Sequence, residues 1–330
     1  MKVALIIIYN HQYNKNIDII EKIYKDRFSD IYHLVPFYNG EKGNVIPVYE
    51  SSYYFQGYVS QGLHRFFREE YTHYFFIGDD LLLNPEINEN SYHDIFKLGL
   101  NTSFIPNFIT LHDFRLWHAR IGDAFKWNIK ERGVEAQNML PDYEMALDKF
   151  SKFGLTIKPF NFLQVVKLTT DSCLSLLWKR DFGAIYKRCL FFCKYLSNKV
   201  HGKPHTPLYP MVAACSDIFI LSAKSIKDFC FYSGVFATTK LFVEIALPTS
   251  VVLSSEEIVT KNDLGLQGKA WQCSQKMEEY NTWLKGEIWS KEDHQKIEKC
   301  EHSLPKLLAE FPSNYLYLHP VKLSKWKTEK

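Results

Sequence analysis

The run Tyr74-Phe75-Phe76-Ile77-Gly78-Asp79-Asp80 constrains the fold of this chain strongly. Four bulky residues in succession have the length and β-propensity of a strand buried on both faces, as in a parallel sheet covered by helices. Gly78 lets the backbone turn sharply as it leaves the sheet. Asp79 and Asp80 are therefore predicted at the carboxyl end of a strand, where open α/β sheets bind ligands.

Two adjacent carboxylates at such an edge suggest a cation site. Hard oxygen ligands suit Mg²⁺ or Mn²⁺, and these ions often carry a diphosphate. The other interpretation is a turn followed by a helix N-cap, because aspartate is common in both and Pro85 follows soon after. The pair alone does not decide between them.

The first half of the chain alternates strand and helix patterns. Val3–Ile8 reads as a buried strand, a helical pattern covers Asn16–Tyr24, and shorter strands follow at 31–36 and 45–49. Tyr9 and Asn10 end the first strand and form a candidate nucleotide pocket. Neither a GxxxxGK[ST] loop nor a GxGxxG fingerprint occurs. The expected fold class is α/β, with a mixed, mainly parallel central sheet flanked by helices.

The composition gives no sign of a nucleic-acid partner or of a zinc site. The 330 residues are 46% hydrophobic, which is enough for one large core, and 40 basic against 37 acidic residues give no field favouring nucleic acid. The seven cysteines have neither CxxC nor zinc-finger spacing, so reduced thiols in a cytoplasmic protein are expected. The apolar N-terminus is too short for a signal or spanning segment.

We expect three regions: a donor-binding half at 1–160, a helical insertion at 161–207 and a catalytic half at 208–330. The insertion contains a basic amphipathic stretch, 174–200, which favours core packing with a solvated basic face or contact with an anionic membrane. Before it, an aromatic segment that includes Trp117 and Trp127 could line a sugar groove or be an ordinary loop.

Four later residues are candidates for site chemistry. Asp217 precedes the apolar strand Ile218–Leu221, and Glu244 lies alone in an apolar segment, either ion-paired or solvated, or acting as a base with a raised pKa. His319 ends the last strand and Lys322 follows it. Histidine can join carboxylates on Mn²⁺, and lysine suits a phosphate oxygen.

Together these features resemble the GT-A class of nucleotide-sugar glycosyltransferases. In that class an acidic DxD motif follows an apolar strand and holds a divalent cation on the donor diphosphate; here Gly78-Asp79-Asp80 corresponds to it, without a strict DxD. His319-Pro320-Val321-Lys322 with Trp326 looks like the late histidine and lysine motif of glycogenin-like transferases, with its glycine replaced. The chain also resembles bacterial transferases of capsule or lipopolysaccharide O-antigen assembly.

The resemblance implies a GT-A-like fold and a UDP-sugar donor. Asp79, Asp80 and His319 would hold Mn²⁺ or Mg²⁺, Lys322 would contact the diphosphate, and Tyr9 and Asn10 would bind the nucleoside. For an inverting transfer, Glu244 would be the first candidate for the general base and Asp217 the second. A retaining transfer needs no general base. The acceptor would be a saccharide, lipid-linked or free, met in the cytoplasm at the inner face of the membrane.

Two other function classes are compatible with the same residues. A metal-dependent hydrolase or nucleotidyltransferase could use the carboxylates to activate water or to position a nucleotide triphosphate. A non-catalytic scaffold of a polysaccharide-assembly complex could dock through 174–200. Release of free sugar without an acceptor would indicate the hydrolase. Absence of metal-dependent nucleotide binding would indicate the scaffold.

Overall fold

The computed structural model describes residues 1–112, 118–166, 169, 182–270 and 288–327. The strands are β1 (Val3–Ile8), β2 (Asp30–Pro36), β3 (Val45–Val48), β4 (His73–Gly78), β5 (Leu82–Leu83), β6 (Thr102–Phe104), β7 (Ile109–Thr110), β8 (Val212–Ala213), β9 (Ile218–Ser222), β10 (Glu257–Val259), β11 (Gln267–Lys269) and β12 (Tyr315–Leu318). The helices are α1 (Asn14–Tyr24), α2 (Gln56–Phe66), α3 (Tyr92–Ile95), α4 (His118–Lys126), α5 (Tyr143–Lys152), α6 (Phe182–Val200), α7 (Ile226–Thr238), α8 (Val243–Ser254), α9 (Lys261–Leu264), α10 (Lys291–Lys299) and α11 (Leu304–Ala309).

The central sheet has seven strands in the order β10-β6-β9-β4-β1-β2-β3. Strands β4, β1, β2 and β3 are parallel, and β10 is parallel to β6. Strand β9 lies between β4 and β6 and is antiparallel to both. The predicted class, a mixed and mainly parallel α/β sheet flanked by helices, is confirmed.

Both faces of this sheet are buried, as the apolar runs predict. Along β1, Val3, Leu5 and Ile7 pack with α1 on one face, and the residues between them pack with α2 and α7 on the other. This alternation follows from the two-residue period of a strand. Because both faces of the sheet are covered, ligands are expected to bind beyond the ends of its strands.

A second core lies beside the sheet and is formed by α4, α5, α6, α8 and the small β7–β8 pair. Trp127 is buried there, and its indole nitrogen donates to Thr239 Oγ1 at 3.0 Å. This packing favours the ordinary-loop alternative for Trp127, which also lines a surface pocket with Tyr53 and Lys240. Trp117 lies outside the described residues.

A three-stranded sheet, in the order β11-β12-β5, brings the C-terminal segment to the end of β4. Leu318 of β12 pairs with Leu82 of β5, which follows the two aspartates. His319, the next residue, is thereby carried to the carboxyl edge of β4.

The basic stretch predicted at 174–200 is seen only in part, because 174–181 lie outside the described residues. Within α6, Phe191 and Tyr195 are buried in the second core. Phe182 and Tyr186 are largely exposed, and Lys194 and Lys199 are exposed too, so the described side chains of α6 present both apolar and basic groups. Among the described residues, no helix has the length and apolar character needed to cross a membrane.

The cysteines that the structure describes are all free thiols: Cys189, Cys193, Cys215, Cys230 and Cys300. This confirms the expectation of reduced thiols for these five. Cys173 and Cys273 lie outside the described residues.

Candidate functional site

The site forms where three strand ends meet. Strands β1 and β4 are neighbours whose connections leave in opposite directions, which is the switch point at which open α/β sheets bind ligands. Because β9 is antiparallel to β4, the start of β9 lies beside the end of β4, and Gly78 N–H donates to the Asp217 carbonyl at 2.8 Å. Asp217 therefore adjoins Asp79 and Asp80.

His319 completes the cluster from the C-terminal segment. The Val321 amide donates to the Asp80 carbonyl at 2.6 Å and fixes this segment against the end of β4. His319 Nε2 then lies 3.3 Å from Asp80 Oδ1 and 3.6 Å from Asp217 Oδ1. The ring is oriented by Nδ1, which donates to the Ala270 carbonyl at 2.9 Å. Nε2 is thus the nitrogen presented to both carboxylates.

Electrostatics favour an imidazolium in this arrangement. Burial, the largest single influence, lowers the pKa of His319, but Asp217 and Asp80 outweigh it and raise this pKa to about 10. Burial likewise opposes ionisation of Asp80, yet His319 and then Lys322 hold the pKa of Asp80 below its usual value. A positive charge facing these two carboxylates is therefore strongly stabilised.

Asp79 points elsewhere. It is 4% exposed, and its Oδ2 accepts from Asn16 Nδ2 at 3.2 Å in the first turn of α1. Burial and then the Asp80 charge raise the pKa of Asp79 to about 7, although hydrogen bonds from Asn16 and the Asn10 backbone oppose this. These partners place Asp79 against the β1–α1 connection. The geometry favours a positioning role and does not support the predicted role as a metal ligand.

Glu244 lies in the first turn of α8 and is 7% exposed. Burial and then the charge of Asp217 raise the pKa of Glu244 well above its usual range, with Ser216 and His319 acting in the opposite direction. Burial and then Asp80 likewise raise the pKa of Asp217, although His319 opposes them. Of the two alternatives that the sequence leaves open for Glu244, its burial favours the second; its role as a base stays a prediction.

The predicted nucleoside and diphosphate residues differ in their positions. Tyr9 is fully buried, and its hydroxyl is 3.0 Å from His33 Nδ1. Its ring has no open face, so the geometry does not support the predicted stacking of a nucleobase on Tyr9. Asn10 is half-buried at the end of β1, beside Asp79. Lys322 is exposed, and its charge reaches Asp80.

The chemistry of the cluster fits a hard divalent cation. Among the described residues, none donates a well-formed hydrogen bond to the buried Asp80 Oδ1. Asp217 supplies a second oxygen, and His319 offers Nε2 once it loses its proton, with Nδ1 fixed by a backbone carbonyl as in many metal sites. Within the described ranges, however, no three His, Cys, Asp or Glu side chains already surround one point at ligand distance. A cation would replace the proton of His319.

Sequence reasoning missed Asn16 and Ala270 and gave Asp217 a different role. Asn16 was read only as the start of a helix; an asparagine in the first turn after a strand was the available signal. Asp217 was expected mainly as a base or an acceptor ligand, whereas its contact with His319 places it among the candidate cation ligands. No local pattern indicated Ala270, because only its backbone carbonyl is used.

Comparison of the chain with protein-family models, curated proteins and solved structures found no match.

Proposed function

We propose that this protein is a metal-dependent glycosyltransferase that moves a sugar from a UDP-sugar to a saccharide acceptor. The resemblance to the GT-A class suggests bacterial O-antigen or capsule assembly as its setting. The observation that carries the proposal is the meeting of Asp80, Asp217, Glu244 and His319 at the sheet's switch point. The mainly parallel sheet is compatible with the GT-A fold.

Asp80, Asp217 and His319 would hold Mn²⁺ or Mg²⁺. When bound, such an ion stabilises the negative charge that develops on a departing diphosphate. Lys322 adds an exposed positive charge at the same edge and would contact a phosphate oxygen of the diphosphate. Asp79 and Asn16 keep the start of α1 against β4, which fixes the ribose side of the pocket.

Glu244 is the leading candidate for the base of an inverting transfer. A base must be ionised before it takes a proton, and a raised pKa increases its proton affinity once it is ionised. His319 and Asp217 couple this carboxylate to the charge at the cation position. A divalent cation that displaced the His319 proton would add positive charge at this position and would favour ionisation of Glu244.

The test is calorimetric titration of UDP into the protein with Mn²⁺ and with EDTA. We expect binding that requires the metal, and Asp80→Asn should weaken it by at least about tenfold, since one charged ligand contributes at least ~1.4 kcal/mol. Asp94→Asn, a change at a carboxylate that is 82% exposed, serves as the matched control. Metal-dependent binding would then justify a screen of UDP-sugars with saccharide acceptors.

Three outcomes would count against the proposal. Equal UDP binding with Mn²⁺ and with EDTA would remove the metal role. Release of free sugar at the same rate without any acceptor would indicate a hydrolase. No binding of UDP or of other nucleotides would favour the scaffold.

A further inference from the structure

The side of α6 that faces away from the core carries a continuous apolar stripe. Phe182, Tyr186, Leu190, Leu196 and Val200 are exposed by 69%, 65%, 46%, 41% and 83%. Cys189 and Cys193 are exposed between them. Spacings of three and four residues place all seven on one side of the helix. We call these seven residues the outer stripe.

Core packing does not account for the outer stripe. The opposite side of α6 already supplies the contacts with the protein: Phe191 stacks edge-on with Phe125 at 5.1 Å, and Tyr195 contacts His205 at 5.3 Å. A surface helix ordinarily has one apolar side. A second one, which no other described residue covers, marks an interaction surface.

The apolar surface extends beyond α6. Phe162 and Leu163 are exposed by 45% and 75%, and the Phe162 ring lies 6.2 Å from that of Tyr195. Lys199 Nζ lies 5.8 Å above the Phe162 ring, so a cation borders the apolar area. Apolar side chains with a cationic border are typical of helices at a lipid–water interface.

The net positive charge of α6 indicates which kind of partner would cover the outer stripe. Its sequence contains Lys187, Arg188, Lys194 and Lys199 and no acidic residue. Two copies of this helix packed together would place like charges side by side, which is unfavourable. An anionic lipid surface instead attracts each of these charges.

We propose that α6 lies on the surface of an anionic lipid bilayer, with the outer stripe inserted at the headgroup boundary. Because the other side of α6 is packed against the second core, this helix would meet lipid through the outer stripe and would lie in the plane of the interface. Lys199 borders the apolar area, where lipid phosphates would be. This surface is independent of the donor site at the sheet edge.

The test is co-sedimentation of the full chain with vesicles of phosphatidylcholine, with and without 30% phosphatidylglycerol. We expect binding to the anionic vesicles that falls as salt is raised. The double variant Tyr186→Ser/Leu196→Ser should lower the partition coefficient at least about tenfold, because two apolar side chains no longer insert. Leu100→Ser/Phe231→Ser, at positions 61% and 50% exposed elsewhere, should bind as the parent does.

Other results would overturn the inference. These are failure of the parent protein to bind anionic vesicles, or equal binding by the stripe variant and the parent. A dimer in light scattering that the stripe variant dissociates, without vesicle binding, would assign the stripe to self-association instead. UDP binding measured on the same preparations separates this surface from the donor site, because loss of one leaves the other intact.

Discussion

Replacing Asp79 with asparagine should stabilise the metal-free protein at pH 8 and leave it almost unchanged at pH 4.5. The folded-state pKa of Asp79 is raised from 3.8 to about 7 by burial and by Asp80. The folded protein therefore keeps a proton that the unfolded chain releases above pH 3.8. Stability consequently falls as pH rises from about 4 to about 7, and the variant escapes this loss.

The magnitude follows from the pKa. At ~1.4 kcal/mol per pH unit, the difference between the folded and unfolded pKa values of Asp79 lowers the free energy of unfolding by about 4 kcal/mol at pH 8 and by about 1 kcal/mol at pH 4.5. Asparagine retains one oxygen for Asn16 but gives up a second acceptor, at a cost of about 1 kcal/mol. The net gain is about 3 kcal/mol at pH 8 and close to zero at pH 4.5.

Urea unfolding at the two pH values measures this difference, with Asp26→Asn, a substitution at an exposed carboxylate, as the control. The variant's unfolding midpoint should rise at pH 8 only, and the control's at neither pH. A gain of the same size at both pH values, or a loss at pH 8, would refute the reasoning, since neither can come from a buried carboxylate with a raised pKa.

Three further predictions concern catalysis, pH dependence and packing. Glu244→Gln should lower turnover by about 10²–10³-fold with little change in UDP affinity, and near-normal turnover would exclude the base role. Affinity for Mn²⁺ should rise with pH between 6 and 9, because the proton of His319, whose pKa in the folded protein is about 10, must leave before the metal binds. Calorimetry in two buffers of different ionisation enthalpy should show this proton release. An affinity that does not change with pH would contradict the prediction. Gly268→Ala should lower the free energy of unfolding by about 1–3 kcal/mol, because the added Cβ would lie 2.2 Å from Cζ of Tyr317. Gly43→Ala is the control and should not lower it, because no atom lies within 4 Å of the added Cβ. Equal urea midpoints for the two variants would contradict the prediction.

The raised pKa values of the buried acids are consistent with a cation site. Asp79, Asp217 and Glu244 are all disfavoured as anions in the metal-free protein, while His319 is favoured as a cation. A divalent ion at this position would relieve the repulsion among the carboxylates. Stability lost at the site is thus expected to return on cation binding.

The sequence alone determined the strands and the burial of key side chains. The uninterrupted apolar runs of β1 and β4 specify strands covered on both faces, and Gly78-Asp79-Asp80 specifies a polar end, because these depend on neighbouring residues. A lone glutamate in an apolar segment marked Glu244 as unusual but left open whether it is solvated or buried, which the packing of α8 decided. The regions proposed at 1–160, 161–207 and 208–330 stay predictions.

Only the tertiary structure decided which of these residues meet. The antiparallel insertion of β9 brings Asp217 beside β4, and the β5–β12 pairing carries His319 to Asp80 across most of the chain. Packing against α1 turned Asp79 towards Asn16, and closure of the core buried Tyr9. Local sequence sets the period and polarity of an element, whereas strand order and register set its neighbours, and no short pattern encodes them.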